Sequence, residues 1–263
     1  MSEHTDISSL KNPRVKQLLA LQKPRERKNE GLFVVEGVRE VSLAQQRGRE
    51  LVTIYTSPVY ASDEAYPIDT SVCEHLTFSE EVYAKVAYRE STGGIIALVK
   101  AKKHSLSDLA ELENPLYVVL EKVEKPGNIG AILRTADAAG VDAVIVCDPA
   151  TDFDNPNVIR SSVGCVFTVP VASTSNEELQ GWLKERGVRT VAAALTAKRN
   201  HFDCDMKTPT AILLGSEANG LSEFWLERAT EQVIIPMRGS IDSMNVSNAA
   251  AILIYEAIRQ RLS

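Results

Sequence analysis

The chain has 263 residues, of which 44% are hydrophobic and 24% charged, and its formal net charge is −6 at pH 7. These fractions are ordinary for a globular protein and exclude a disordered, collagen-like or coiled-coil chain. No stretch without charges is long and apolar enough to span a bilayer. The first residues, MSEHTDISSL, lack the basic and apolar regions of a secretory signal. We therefore expect a cytoplasmic protein with no membrane contact.

The four cysteines show no CxxC pairing and have no nearby His at ligand spacing, so we expect neither a zinc site nor a disulfide framework.

The acidic total hides a basic segment near the N-terminus. Residues 1–105 carry 15 Lys/Arg and 14 Asp/Glu, and residues 106–263 carry 14 and 21, so the two parts have net charges of +1 and −7. Within the first part, residues 11–28 hold seven basic side chains and one acid. Such a strip is typical of a surface that contacts the phosphate backbone of a nucleic acid, although a solvated helix face has the same composition.

Short apolar runs predict a small α/β unit in the first part. In chain order, LFVVEG is a predicted strand, EVSLAQQRG a helix, LVTIYTS a strand, residues 79–87 a helix and GGIIALV a strand. The polar stretch KAKKHSLS follows at residues 100–107. We expect the boundary there, with one domain over residues 1–105 and a second over residues 106–263.

The second part alternates strands with helices. The predicted strands are LYVVL, AVIVC, VFTVPV, TVAAAL, AILLG and VIIP, and the predicted helices cover residues 129–139, 177–186, 221–228 and 246–261. Continuous apolar runs of this length are typical of strands that are covered on both faces. The alternation indicates a parallel sheet with helices on both sides, which binds ligands at the carboxyl ends of its strands.

Three segments with unusual residues lie at those strand ends. In EKPGNIGAILRTADAA, Gly127 and Gly130 flank Asn128 and Arg134 follows in the helix. This spacing is not GxGxxG, so it gives little support to a nicotinamide oxidoreductase. In ILLGSEANGL, Glu217 lies between two glycines, which permit close backbone approach to a ligand. In VIIPMRGSIDSMNVSN, Ser and Asn precede a helix. Taken singly, these segments could be ordinary turns and helix caps.

Together the three segments resemble the motifs of the SpoU/TrmH family, the RNA ribose 2′-O-methyltransferases of the knotted SPOUT superfamily. The matching patterns are N-x-G-x-x-x-R-T-A, L-G-S-E-x-x-G-L and I-P-M followed by S-M-N-V-S, in the family's order and spacing across residues 114–263. NPRVKQLLAL, RERKNEGLFVVEG and STGGIIALV, within residues 6–100, resemble the RNA substrate-binding domain of rRNA-modifying members, which is similar to a ribosomal-protein fold. The resemblance implies an α/β protein with a knotted, parallel-sheet C-terminal domain and S-adenosylmethionine as its methyl donor.

The resemblance also implies roles for individual residues. Arg134 matches the family's catalytic arginine, and because a guanidinium stays protonated we expect it to stabilise a forming alkoxide rather than to act as a base. The other expected catalytic residues are Asn128, Glu217, Ser243 and Asn245. The residues expected to hold the cofactor are Leu195, Thr196, Gly215, Ile235, Met237 and Met244, and those expected to contact RNA are Arg14, Lys16, Arg25, Arg27 and Arg39.

The implied partners are RNA, with ribosomal RNA favoured by the N-terminal domain, and a second copy of the chain bound through the C-terminal domain. Two alternatives stay open. One is a tRNA 2′-O-methyltransferase. The other is a non-catalytic, knotted RNA-binding or ribosome-assembly factor, against which the complete set of motif residues argues.

Overall fold

A computed structural model describes residues 6–61, 67–88, 93–149 and 151–263. Residues 1–5 of the N-terminal stretch and residues 91–92 of STGGIIALV thus lie outside the described residues. The helices are α1 Pro13–Ala20, α2 Pro24–Glu30, α3 Val38–Gln46, α4 Glu80–Val86, α5 Pro126–Ala139, α6 Pro156–Ser161, α7 Cys165–Thr168, α8 Asn176–Glu185, α9 Glu223–Arg228 and α10 Val246–Arg261. The strands are β1 Leu32–Glu36, β2 Leu51–Thr56, β3 Glu74–Thr77, β4 Ile95–Lys100, β5 Leu116–Glu121, β6 Ala143–Cys147, β7 Val171–Thr174, β8 Arg189–Ala193, β9 Arg199–Asn200, β10 Thr210–Leu214 and β11 Glu231–Ile234.

The chain forms two compact units, and the first contains residues 1–103 and 152–168. Its four-stranded sheet has the order β1-β4-β2-β3, in which β4 is antiparallel to β1 and β2, and β3 is parallel to β2. Helix α1 begins where the Asn12 side chain accepts from the Arg14 amide and Pro13 takes the first helical position. Stacked rings of Tyr55 and Phe78, with centroids 4.6 Å apart, lie in the core of this unit.

Strand β3 was not expected from the sequence. Its residues are exposed or half-buried, and it lies at the edge of the sheet, so it lacks the apolar run or alternation that marks a covered strand. It is a strand because its backbone pairs with β2, and no pattern in its own sequence indicates this pairing.

Residues 152–168 complete the first unit, with α6 against β1 and α7 against α3. The prediction that VFTVPV is one strand was wrong, because Cys165–Thr168 forms the short helix α7 and the strand β7 begins only at Val171. Three consecutive residues of α7 are buried, among them Phe167, whose ring stacks on Phe33 with centroids 6.4 Å apart. A short buried helix and a buried strand have the same apolar run, so the pattern could not separate them.

The second unit contains residues 104–151 and 169–263. Its seven strands have the order β7-β6-β5-β10-β8-β11-β9, and every neighbouring pair is parallel. Every residue of β5, β6 and β10 is buried, as expected for strands covered on both faces. The predicted α/β class and parallel sheet are confirmed. Within the described part of the chain, no helix has the length and apolar character needed to cross a membrane.

Candidate active site

Three connections at the carboxyl ends of the parallel strands carry the motif residues. The chain leaves β5 at Glu121 and enters α5 at Pro126, and it leaves β10 at Leu214 into residues 215–221. It leaves β11 at Ile234 and reaches α10 through residues 235–245. Because the strands are parallel, these connections lie at one edge of the sheet, where ligands bind in open α/β folds.

A chain of side-chain hydrogen bonds joins the three connections. Asn245 donates from Nδ2 to Oδ1 of Asn128 across 3.1 Å. Asn128 in turn donates from Nδ2 to a carboxylate oxygen of Glu217. Asn128 therefore uses both ends of its amide, and the structure brings three of the five expected catalytic residues into contact.

Helix ends hold two of these side chains in place. Asn245 caps α10, since its Oδ1 accepts from the amide of Ser247 at 2.8 Å and from the Ser247 hydroxyl at 2.6 Å. Asn128 is the third residue of α5, which begins with Pro126 in its first position. One amide thus belongs to the N-cap residue of α10 and the other to the first turn of α5, and both attachments restrict the geometry of their contact.

Arg134 lies on the same helix as Asn128, about 9 Å further along the axis at the usual rise per residue. Its side chain is exposed and makes no hydrogen bond or ion pair with another described residue. A permanently charged guanidinium with no internal partner is able to bind an anionic group from outside the protein.

Residues 215–221 form a tight hairpin. The amide of Ser216 donates to the carbonyl of Gly220 at 3.1 Å, and the amide of Gly220 donates back at 2.9 Å. A Cβ added at Gly215 would lie 1.9 Å from the carbonyl carbon of Gly220, so only glycine fits at this close approach. Gly220 itself has a φ of +67°, in the left-handed region that glycine adopts without strain.

The expected cofactor residues follow three neighbouring strands. Gly215 comes directly after β10 and Ile235 directly after β11, and the turn with Leu195 and Thr196 follows β8, which lies between those strands. Ile235 is half-buried, whereas Leu195 is 61% exposed. Since neighbouring strands lie about 4.8 Å apart, backbone and apolar side chains are available within a space of nucleoside size. This set fits an adenosyl group that is held by backbone contacts.

Three further site residues lie between β11 and α10. Met237 and Met244 are half-buried, and Ser243 is exposed. Ser243 makes no hydrogen bond with any residue that the structure describes, so its expected part in the site stays a prediction.

The residues expected to contact RNA differ in their surroundings. The side chains of Lys16, Arg25 and Arg39 are exposed and have no hydrogen-bonding or ionic partner among the described residues. Arg14 pairs with the carboxylate of Glu74 through both terminal nitrogens, which raises its pKa. It retains part of its surface, with 41% of the side chain exposed.

Arg27 lies inside the first unit, with 3% of its surface exposed. Its Nη1 donates to the carbonyls of Leu21 at 3.0 Å and Gln22 at 2.9 Å, and its Nη2 donates to Asp152 at 2.6 Å. The guanidinium is thus committed to the interior of the unit, and we leave Arg27 out of the proposed RNA contacts.

A buried carboxylate that no sequence motif indicates lies beside the motif connections. Glu121 ends β5 with 1% of its surface exposed and accepts hydrogen bonds from Asn176 and Ser222. The available signal was the acid that closes the apolar run LYVVLE immediately before the first motif.

All four cysteines are free thiols. Burial raises the pKa of Cys147, which ends β6, and so keeps its thiol protonated. A protonated buried thiol is a core residue and not a nucleophile.

Comparisons with known proteins match both parts of the chain. Residues 115–255 match the SpoU rRNA Methylase family and residues 12–97 match the MRM3-like substrate binding domain. A 23S rRNA (uridine(2479)-2′-O)-methyltransferase from Streptomyces viridochromogenes is 34% identical over 96% of this chain and 92% of its own length. A 23S rRNA (guanosine-2′-O-)-methyltransferase from Vibrio parahaemolyticus is 32% identical over 89% and 98%. An AdoMet-bound rRNA methyltransferase from Sinorhizobium meliloti superposes with a TM-score of 0.88 at 30% identity and covers 98% of each chain.

Proposed function

Since the chain belongs to the SpoU rRNA Methylase family, we propose that it transfers a methyl group from S-adenosylmethionine to a ribose 2′-hydroxyl of ribosomal RNA. The family expected from the three sequence motifs is confirmed. The observation that carries the proposal is the hydrogen-bonded chain from Asn245 through Asn128 to Glu217. On the helix that holds Asn128, the side chain of Arg134 has no partner among the described residues.

The proposed cofactor site lies at the carboxyl ends of β10, β8 and β11. The backbone at Gly215 and the half-buried side chains of Ile235, Met237 and Met244 would hold the adenosyl part, and the turn with Leu195 would border it. Bound there, S-adenosylmethionine supplies an electrophilic methyl group on a positively charged sulfur. Two structural relatives were solved with bound AdoMet, which supports S-adenosylmethionine as the cofactor.

The remaining residues act on the ribose. When the ribose oxygen takes the methyl group, the donor would leave as a neutral thioether and the hydroxyl proton would pass to solvent. The oxygen attacks readily only when the negative charge that develops on it is stabilised. Arg134 provides a permanent positive charge for that oxygen and for the neighbouring phosphate. Asn128 is held by Glu217 on one side and by Asn245 on the other, so its amide keeps one orientation and positions the ribose against Arg134.

The proposal also includes contacts of the first part of the chain with RNA and a domain boundary after residue 105. The exposed Lys16, Arg25 and Arg39, with the partly exposed Arg14, would bind RNA phosphates. The domain boundary after residue 105 is supported by the family matches, which end at residue 97 and resume at residue 115.

A homodimer through the second unit is supported by apolar surface on α10, where Ile252 is 37% and Tyr255 50% exposed. With a ribosomal substrate we also propose a cytoplasmic location.

The proposal is tested by methyl transfer from labelled S-adenosylmethionine to undermodified total RNA that is then separated into large rRNA, small rRNA and tRNA. We expect label in one rRNA. Label in tRNA would support RNA methyl transfer but contradict ribosomal RNA as the substrate. Absence of label with the cofactor still bound would favour the binding factor over the enzyme.

A further inference from the structure

Glu121 is a charged side chain in the interior of the second unit. It is 1% exposed and pairs with no cation among the described residues. Its Oε1 accepts from Nδ2 of Asn176 at 2.7 Å and from the hydroxyl of Ser222 at 2.6 Å, and its Oε2 accepts from the amide of Ser222 at 2.7 Å. A buried carboxylate costs free energy unless its oxygens are satisfied, and here three donors satisfy them.

Ser222 gives this carboxylate both of its donors. Ser222 is the N-cap of α9, where a serine hydroxyl commonly accepts from the first turn of the helix. In this chain the hydroxyl makes no such bond and points to Glu121 instead. Glu121 therefore fixes the residue that directly follows the hairpin of residues 215–221.

Asn176 provides a second connection between Glu121 and α9. Its Nδ2 donates to Glu121 and, at 3.1 Å, to Asp148, and its Oδ1 accepts from the indole nitrogen of Trp225 at 2.6 Å. Trp225 is fully buried in α9. The start of α9 is thus connected to Glu121 directly through Ser222 and indirectly through Asn176 and Trp225. These contacts leave little freedom for Ser222, which directly follows the hairpin.

The other end of the hairpin lies next to the same carboxylate. The register pairs Leu214 of β10 with Leu120 of β5, so the following residues, Gly215 and Glu121, are neighbours across the two strands. The hairpin also carries Glu217, which accepts from Asn128. Glu121 consequently lies beside the start of the hairpin and is bonded to the residue that directly follows the hairpin.

From these contacts we propose that Glu121 is a positioning residue, which fixes the 215–221 hairpin and thereby both the Glu217–Asn128 contact and the backbone that receives the cofactor. The inference rests on the proposed function, because it assigns the cofactor to that backbone. Glu121 itself touches neither cofactor nor ribose and acts through Ser222 and Asn176. A carboxylate suits this task since it accepts from all three donors at once, whereas an amide has only one accepting oxygen.

Glu121→Gln tests the inference, because the new Nε2 group would face a donor that it cannot accept from. We expect the Kd for S-adenosylmethionine, measured by calorimetry, to rise about tenfold and kcat to fall by a similar factor. We expect the KM for RNA to stay within about twofold, since the proposed phosphate contacts of Lys16, Arg25 and Arg39 belong to the first unit. If Glu121 only stabilised the fold, Glu121→Gln would lower the thermal midpoint and leave the Kd and kcat unchanged.

Two further variants separate positioning from stability. Thr190→Val is the matched control, because Thr190 is buried at the amino end of β8 and its hydroxyl bonds to Thr230. It should lower the thermal midpoint and leave the Kd unchanged. Ser222→Ala removes only the hydroxyl donor, so we expect the Kd to rise about threefold. Its effect should not multiply with that of Glu121→Gln, since both act through one contact.

A folded Glu121→Gln protein with wild-type Kd and kcat would overturn the inference, and so would multiplying effects of the two variants. If Glu121→Gln does not fold, an unchanged Kd in Ser222→Ala overturns it. Failure of the wild-type protein to methylate RNA would instead contradict the proposed function, and the calorimetric comparison would still decide the role of Glu121.

Discussion

Asn245 and Asn128 bond through their side-chain amides at 3.1 Å, although 117 positions separate them in the chain. The bond connects the first residue before α10 with the first turn of α5. Since Asn128 also donates to Glu217, its amide can satisfy both neighbours in one orientation only. The site therefore depends on two successive hydrogen bonds, in which Asn245 donates to Asn128 and Asn128 donates to Glu217. Substitutions that exchange the donor and the acceptor of the second bond test this arrangement.

Asn128→Asp should lower kcat by about a hundredfold, because the new carboxylate oxygen would face the carboxylate of Glu217 without a donor between them. Adding Glu217→Gln restores one donor, since the glutamine amide can donate to Asp at position 128, which still accepts from Asn245. We expect the double variant to recover at least about tenfold in single-turnover methyl transfer. A double variant slower than Asn128→Asp alone would contradict the arrangement.

Arg134→Ala should reduce methyl transfer by about a hundredfold or more, the usual cost of removing a group that stabilises developing charge. Because Arg134 has no partner among the described residues, its loss should leave the thermal midpoint and the Kd for S-adenosylmethionine nearly unchanged. Arg134→Lys keeps the charge without the planar fork, and its rate should lie between the two. Retained turnover in the alanine variant would remove Arg134 from the mechanism.

Gly215→Ala should weaken S-adenosylmethionine binding by about a hundredfold, because a Cβ 1.9 Å from the Gly220 carbonyl carbon forces the hairpin apart. Gly127→Ala is the matched control: nothing lies within 4 Å of its added Cβ, and the residue is helical. That variant should keep its affinity and gain up to about 1 kcal/mol in the free energy of unfolding. Calorimetry and urea unfolding check both, and equal Kd values for the two variants would count against the hairpin as cofactor site.

Arg27→Ala should lower the stability of the protein much more than Arg25→Ala, although the two residues share one short helix. Loss of the buried Arg27 leaves the carbonyls of Leu21 and Gln22 and the carboxylate of Asp152 without their donor, which should lower the free energy of unfolding by about 3 kcal/mol. Loss of the exposed Arg25 should change it by less than about 0.5 kcal/mol.

RNA binding is a second measurement on Arg25→Ala. Arg25→Ala should raise the Kd for rRNA and reduce the salt dependence of binding by about one phosphate contact. An Arg25→Ala protein that binds RNA like the wild type at every salt concentration would exclude Arg25 from the interface.

Much of the second unit could be predicted from sequence because its signals are local. The predicted final helix, residues 246–261, has the bounds of α10, since an Asn cap precedes it and its apolar residues are regularly spaced. Continuous apolar runs make up β6 and all but one residue of each of the fully buried strands β5 and β10. Strand β3 and helix α7 were missed because neighbours in space decided them, and the residues of β3 are exposed or half-buried at a sheet edge.

The site shows the same division. The motifs placed Asn128, Glu217 and Asn245 in one site by resemblance, and the structure supplies the contacts between them. No local pattern could show that Arg27 is buried, because the carboxylate that holds it lies 125 positions away. Nor could composition show that Glu121 accepts from Ser222, 101 positions along the chain.

The position of the methyl group on the RNA tests the central claim most directly. Ribosomal RNA labelled by the enzyme from S-adenosylmethionine should be hydrolysed in alkali and the products separated. A 2′-O-methyl group blocks cleavage of the adjacent phosphodiester, so the account predicts that the label appears in alkali-stable dinucleotides. Label in mononucleotides would mean that a base is methylated, and would contradict ribose 2′-O-methylation by this site.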